Sequence, residues 1–334
     1  MKKINTVGVV GNGSMGRRRV LHSLLYGIEN VVGWDIRADR REEIRSIHNI
    51  KTAESQAEFE SLKLDALFIC VPPAEHLYYI ELAIKNHWHF MVENPVYHKY
   101  EPLVPIINKL DNTEIIANVS CNVRFLASIK KIKEIIIEGG LGTVLGGVVE
   151  IGEYLPDWHP YEPYTDYYPS KMDMGGGLDA ICDLDWIVDI FGEINEIKAI
   201  GNKKSSLVID TYDIVDYIVS FKNGPQIVLH TDMLQSPYSK SIKFFSEKGT
   251  IKWDIQDNKI WLYTRDSAEW NEVKFSEEIL NFKNNINFTW AENMYKEDSF
   301  HFFKCLCSVE RPLNTVSENA NLLKQILKSI EYTL

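Results

Sequence analysis

The chain of 334 residues has little cysteine: Cys70, Cys121, Cys182, Cys305 and Cys307. The number is odd and no Cys-x-x-Cys pair occurs. Neither a disulfide framework nor a metal site is read from it, and reduced thiols of a cytoplasmic protein are expected. Long apolar runs are missing too, since none approaches the ~18 residues needed to cross a bilayer. The opening Met-Lys-Lys-Ile-Asn-Thr meets only a short apolar stretch before glycines, which is not the pattern of a secretory signal. Basic charge is in deficit, with 36 Lys and Arg against 47 Asp and Glu for a net charge of −11. Nucleic acid and anionic membrane surfaces are therefore not expected partners. No repeat or low-complexity tract interrupts the sequence. What remains, 45% hydrophobic and 25% charged, is the make-up of an ordinary globular protein, and its length calls for two domains.

The most informative stretch is Thr6 to Asp35. Residues 6–10 are apolar and β-branched, and Gly11, Gly13 and Gly16 follow in the spacing G-x-G-x-x-G. That spacing is where a strand turns sharply into a helix: the first glycine permits the turn, the second lets backbone approach a pyrophosphate, and the third lets helix pack on strand. Met15, Val20, Leu21, Leu24 and Leu25 then recur at helical spacing, so the first-turn N–H groups of that helix face the loop and favour an anion. Gly11, Asn12, Gly13, Ser14, Met15 and Gly16 are thus expected to hold a dinucleotide phosphate. Asp35 ends the next apolar strand 19 residues beyond Gly16, near the distance of about 20 expected for the carboxylate that binds a ribose diol. It would repel a 2′-phosphate and so favours NAD over NADP. Arg37, Arg40 and Arg41 are read first as the solvated basic start of the next helix.

Farther on, strand and helix alternate. A charged helix from Arg37 to His48 leads to Lys51 and a helical stretch ending at Leu62; a buried strand from Leu64 then runs to Pro72-Pro73, which cannot donate to a ladder. A helix over 74–86 carries His76 in its first turn, and a strand from His89 ends in Glu93-Asn94-Pro95. The alternation predicts a doubly wound parallel sheet, with ligands beyond the carboxyl ends of its strands. Cys70, Pro72, Pro73, His76, Glu93 and Asn94 are therefore expected to border the cofactor. After Cys121 the pattern becomes β-rich. This places a dinucleotide-binding Rossmann domain at 1–121 and an α+β substrate and oligomerisation domain at 122–334, with a large, open, mostly antiparallel sheet. Strands are expected over 143–151, 208–219, 226–233, 241–245, 250–255 and 259–264. A helix over 178–192 follows Gly175-Gly-Gly, and the open sheet suggests a homodimer or homotetramer.

Several motifs together resemble the Gfo/Idh/MocA oxidoreductases: a Pro-Pro turn after one strand, Glu-Asn-Pro where the family has Glu-Lys-Pro, Asn122-Val-Arg-Phe125, Tyr154-Leu-Pro-Asp-Trp-His-Pro160, Gly175-Gly-Gly and the Asp298-Ser-Phe-His-Phe-Phe helix. The resemblance implies hydride transfer between a nicotinamide and a hydroxyl- or ketone-bearing carbon of a sugar, inositol, sugar acid or nucleotide-sugar. The Tyr154 stretch is similar to a branch associated with bacterial surface-sugar metabolism. Its rings and acids suit a polyhydroxylated ligand: Tyr154, Asp157, Trp158 and His159 are substrate-binding candidates, and Arg124 is an anchor for a substrate carboxylate or phosphate, or else a salt bridge.

The chain departs from the pattern where the family's chemistry sits. The lysine position is Asn94, and the histidine position, counted from Asp185 and Phe191, is Cys182. Asparagine donates a hydrogen bond but carries no proton. Candidates to replace these groups are His159, the helix-mates Asp179 and Asp183, and Cys182. Three readings follow: an NAD-dependent dehydrogenase with altered acid–base groups, which is preferred; an NAD-binding sensor or partner protein without catalysis; and an NAD-assisted glycosidase.

Overall fold

The computed structural model describes residues 4–159, 162–174, 176, 180–276 and 291–331. The chain divides into two compact units. In the first, strands β1 (Thr6–Val10), β2 (Asn30–Trp34), β3 (Lys51–Thr52), β4 (Ala66–Ile69), β5 (His89–Val92) and β6 (Ala117–Val119) alternate with helices α1 (Ser14–Tyr26), α2 (Ala38–His48), α3 (Gln56–Glu60), α4 (His76–Lys85) and α5 (Leu103–Leu110). The six strands are all parallel, in the order β3-β2-β1-β4-β5-β6. This is the doubly wound sheet expected, with order reversing between β1 and β4. Val7, Val9, Ala66, Phe68 and Met91 supply its core, all nearly inaccessible to water. The chain reaches α4 through a single 3-10 turn, Pro73–Glu75, so the helix begins two residues later than expected.

Leu25 of α1 is half exposed, while the buried face of the helix carries Arg18, Arg19, His22 and Ser23. Val20 is fully buried and Leu24 packs against the core, so the inner face of the helix carries apolar and charged side chains together.

The second unit contains α6 (Ala127–Ile137), β7 (Val144–Gly152), α7 (Leu155–Trp158), α8 (Ala180–Phe191), β8 (Ile194–Asn202), β9 (Ile214–Phe221), β10 (Gln226–Asp232), β11 (Ser239–Ser246), β12 (Gly249–Asp254), β13 (Lys259–Thr264) and β14 (Trp270–Val273). Its sheet has the order β14-β13-β12-β11-β7-β10-β9-β8 and is antiparallel except where β10 pairs with β7. Val149, Tyr217, Val219, Leu229, Ile242 and Phe244 are buried, whereas Val148, Ile218 and Phe245 are exposed. Along β9, β10 and β11 the burial alternates residue by residue, as it does when one face of a sheet meets a core and the other meets solvent. The strand expected over 208–219 begins only at Ile214, because the Asp213 carboxylate accepts the N–H groups of Lys204 and Ser205 and holds a turn there. Two strands, β8 and β14, were not foreseen.

The last segment returns to the first unit. Helix α9 (Glu292–Leu306) packs on α1, and α10 (Val316–Glu331) starts in that unit as well. The linear reading assigns all of 122–334 to the second domain; the buried pairing of α9 with α1 places residues 291–323 with the first.

Candidate active site

In the first unit the glycines act as the motif requires. Gly11 has φ +81°, donates its N–H to Trp34 O at 2.8 Å, and any Cβ there would lie 2.4 Å from Cys70 O. A Cβ on Gly16 would lie 1.9 Å from Gly11 O. Only glycine therefore lets α1 start this close to β1. Gly13 caps α1 with no side-chain bond to its first-turn N–H groups, which stand open to an anion in the way helix starts bind phosphate. Beside it Asn12 is fully buried, and neither polar atom of its amide has a partner among the described residues. Ser14 Oγ accepts from Arg18 at 2.5 Å, and Met15 is half-buried.

Asp35 is 5% exposed and joins the loop to the end of β2. Its carboxylate accepts the N–H of Asn12 at 2.7 Å and that of Arg37 at 2.8 Å. The three arginines after it separate. Arg37 pairs with Asp39, Arg41 bonds Asp35 O and lies over the Trp34 ring, and Arg40 stands 3.9 Å from Asp35 Oδ2.

The other expected cofactor residues lie in the same unit. Pro72 is exposed and Pro73 buried in the turn after β4. His76 is inaccessible, and its ring nitrogens face Val71 O at 2.8 Å and Pro95 O at 3.1 Å. Burial lowers its pKa and leaves a neutral ring bracing two turns. Glu93 Oε1 accepts from Arg19 Nε at 2.8 Å and from the Cys70 thiol at 3.7 Å. Burial pushes that thiol well up, and the adjacent Glu93 charge adds to the effect, so it is not a thiolate. Asn94 Oδ1 accepts from Asn319 Nδ2 at 3.2 Å, while Asn319 Oδ1 takes the N–H of Val96.

Sequence reasoning missed the ion network beneath this border. Arg19 is fully buried and reaches Glu93, Asp298 at 2.9 Å, Ser120 at 2.9 Å and Ser299 at 2.8 Å. Asp298 also accepts from Ser120 Oγ and Cys121 N. Arg18 pairs with Glu292 at 2.6 Å. The run Arg17-Arg18-Arg19 was the available signal, since three arginines on a packed helix need acids somewhere.

In the second unit, Tyr154 precedes α7 and Asp157 is exposed on it. Trp158 Nε1 donates to Glu153 O, and the His159 ring hydrogen-bonds the Tyr167 hydroxyl with the rings 4.3 Å apart. Tyr167 is a member of this group that the sequence did not single out. Arg124 pairs with Asp185 at 2.6 Å and Asp189 at 3.3 Å. On α8, Cys182 is half-buried, and Asp183 accepts from Trp186 Nε1 at 3.0 Å and from Lys240 Nζ at 2.6 Å. The pair formed by Asp183 is thus with a lysine. Asp179, Gly175 and Gly177 lie outside the described residues.

The open helix start, the orphaned Asn12 amide and the buried Asp35 carboxylate fit the pyrophosphate and ribose of a dinucleotide. A parallel doubly wound sheet with this loop is an NAD-binding Rossmann domain, here followed by an α+β domain built on an eight-stranded sheet. Residues 5–120 match the model of the oxidoreductase family with NAD-binding Rossmann fold, and 129–252 match the Gfo/Idh/MocA C-terminal domain. The chain belongs to the Gfo/Idh/MocA family of oxidoreductases. It is 26% identical over 271 residues to the uncharacterized oxidoreductase YrbE of Bacillus subtilis (strain 168), covering 76% of this chain and 75% of that one. Among solved structures, levoglucosan dehydrogenase in complex with NADH and levoglucosan superposes with TM-score 0.82 at 14% identity, over 99% of this chain and 98% of the other. The WlbA dehydrogenase from Bordetella pertussis, in complex with NADH and UDP-GlcNAcA, gives 0.77 at 18% identity, over 99% and 96%.

Proposed function

We propose that the protein is an NAD-dependent dehydrogenase that acts on a CH–OH group, or the matching ketone, of a sugar, sugar acid or nucleotide-sugar. The observation that carries this reading is the glycine cradle locked to Asp35. Bound there, the nicotinamide cofactor supplies or accepts a hydride at the substrate carbon. The α1 start and Asn12 hold the phosphates, Asp35 holds the ribose diol, and Asn94 donates a hydrogen bond to the substrate oxygen. Tyr154, Asp157, Trp158 and the His159–Tyr167 pair bind hydroxyls and sugar faces.

The structural relatives were solved with an anhydrosugar and with a nucleotide-sugar acid, which supports that substrate class and a role in surface-polysaccharide sugar metabolism. The five cysteines are free thiols, in keeping with a cytoplasmic setting, and among the described residues no helix is long and apolar enough to cross a membrane. The exposed Val148, Ile218 and Phe245 favour a homo-oligomer built on the open sheet face. A second reading, an NAD-binding sensor or partner protein, is favoured by one observation: Asn94 cannot take a proton. Purified protein mixed with NAD and then with sugars, sugar acids and nucleotide-sugars in turn tests the choice by absorbance of reduced nicotinamide. A rise with one compound supports the dehydrogenase; bound NAD with no rise across the panel refutes it and favours the sensor.

A further inference from the structure

The basic segment after β2 reads from the sequence as a solvated helix start, but its three arginines do not share one environment. Arg37 turns to Asp39, at 2.6 Å. Arg41 lies over the Trp34 ring and donates to the main-chain oxygen of Asp35 at 2.7 Å. Arg40, the third residue of α2, is the one whose guanidinium comes to the side-chain carboxylate of Asp35, 3.9 Å from Oδ2. The same guanidinium borders the glycine loop, since a Cβ on Gly13 would lie 3.4 Å from its Nη1. Its side chain is 25% exposed, covered enough to be held in place and open enough to meet a ligand. All of these residues belong to the first unit.

A carboxylate at the end of the second strand holds a ribose diol and turns away a phosphate ester at the 2′ position by like charge. How strongly it does so depends on the charges around it, because an opposite charge at a similar distance offsets the repulsion. Beside the loop, Arg17 is balanced by Glu43, and farther out Arg37 is balanced by Asp39. Asp35 itself stands between Arg40, at its side chain, and Arg41, at its main chain. A 2′-phosphate at this position therefore faces one carboxylate and two guanidinium groups. The planar fork of an arginine matches two phosphate oxygens at once.

We propose that Arg40 receives the 2′-phosphate of NADP, so that the site takes both dinucleotides and the opposition of Arg40 and Asp35 sets the ratio between them. Asp35 favours the free diol of NAD, and Arg40 favours the phosphorylated ribose. The two side chains lie next to one another, so each form of the cofactor finds its own partner without a rearrangement of the loop. The assignment rests on the dinucleotide site described above. It is independent of the substrate and of the group that carries the proton.

The experiment is titration calorimetry of the whole protein with NAD and with NADP, with no substrate present. Wild type is expected to bind the two with Kd values within about thirtyfold of each other. Arg40→Met removes a charged hydrogen-bonding partner of the phosphate and should weaken NADP by roughly ten- to hundredfold, with NAD held within about threefold of wild type. That retained NAD affinity also reports that α2 and the loop are folded. Arg40→Lys keeps the charge without the fork and should fall between wild type and Arg40→Met. Arg37→Met, whose side chain faces Asp39, serves as the unaffected control. Added salt should weaken NADP more than NAD in wild type, and this difference should shrink in Arg40→Met. NADP bound more than about thirtyfold more weakly than NAD by wild type overturns the assignment and leaves the NAD site standing. An Arg40→Met variant that changes both affinities by the same factor, or neither, does the same. Wild type that binds neither dinucleotide overturns the cofactor site itself.

Discussion

Replacing Arg19 by methionine puts the buried ion network to its strictest test. The guanidinium is fully enclosed and is the cation shared by Glu93 and Asp298. Methionine matches much of its length but, among the described residues, leaves Asp298 without a counter-charge in an environment closed to water, with Ser120, Cys121 N and the Cys121 thiol still donating. Breaking one side of a buried pair costs about 3–5 kcal/mol. For a unit of this size each kcal/mol lowers the melting temperature by roughly 2–4 °C, so a fall of about 6–20 °C is expected. Calorimetry at neutral pH measures it. Asp298 supplies an internal control. Burial already raises its carboxyl pKa against the pull of Arg19, and without Arg19 the rise is larger. A raised acid binds its proton more readily folded than unfolded, so stability falls as pH rises through the folded pKa, and the deficit of Arg19→Met should narrow as pH is lowered from neutrality. Adding Asp298→Asn to Arg19→Met should recover part of the loss, with a coupling energy above about 1 kcal/mol. A melting shift under roughly 2 °C, well below what one broken buried pair implies, would refute the network as a charge-balanced unit.

Two further outcomes follow from the same geometry. Asp35→Ala removes the carboxylate proposed to hold the ribose diol and should weaken NAD binding by roughly ten- to hundredfold and narrow the gap to NADP; titration calorimetry with both cofactors decides it, and unchanged affinities would take Asp35 off the ribose. His230 lies between Asp232 at 2.9 Å and Asp216 at 2.7 Å, and these carboxylates raise its pKa to about 9. Its stabilising effect should be complete below the unfolded value of about 6.5 and disappear as pH rises through the folded value. Urea denaturation of wild type and His230→Gln from pH 6 to pH 10 should therefore show a difference at the acid end that vanishes at the alkaline end; a constant difference would refute it.

Much of the first unit was legible because its signals are local. A β-branched run, three glycines at fixed spacing and an acid at the end of the next strand belong to one supersecondary unit, and neighbours in sequence are neighbours in space there. The same holds for the Pro72-Pro73 turn and for most strands of the second sheet. What escaped depends on residues far apart in the chain. Nothing near Arg19 says that its acid is Asp298. Nothing near Asp183 says that its cation is Lys240, which lies 57 residues on. For Arg124 the sequence leaves a ligand anchor and a salt bridge both open, because Asp185 and Asp189 belong to a helix about sixty residues later. Strand β9 was started too early for a related reason: Val208 and Ile209 are apolar, but the carboxylate of Asp213 fixes their neighbourhood as a turn.

The return of α9 to the cofactor unit has a consequence for how the protein is made. A ribosome that has delivered residues 4–122 has delivered every strand of the parallel sheet and every glycine of the loop, but not Glu292, Asp298 or Ser299, which neutralise and hold Arg18 and Arg19. Until those residues emerge, the nascent first half carries Arg18 without its acid, Arg19 with Glu93 but not Asp298, and an apolar surface meant for Phe302 and Phe303. The Glu292 and Asp298 pairings that hold α1 in place thus form late in synthesis, after the second unit has been threaded out.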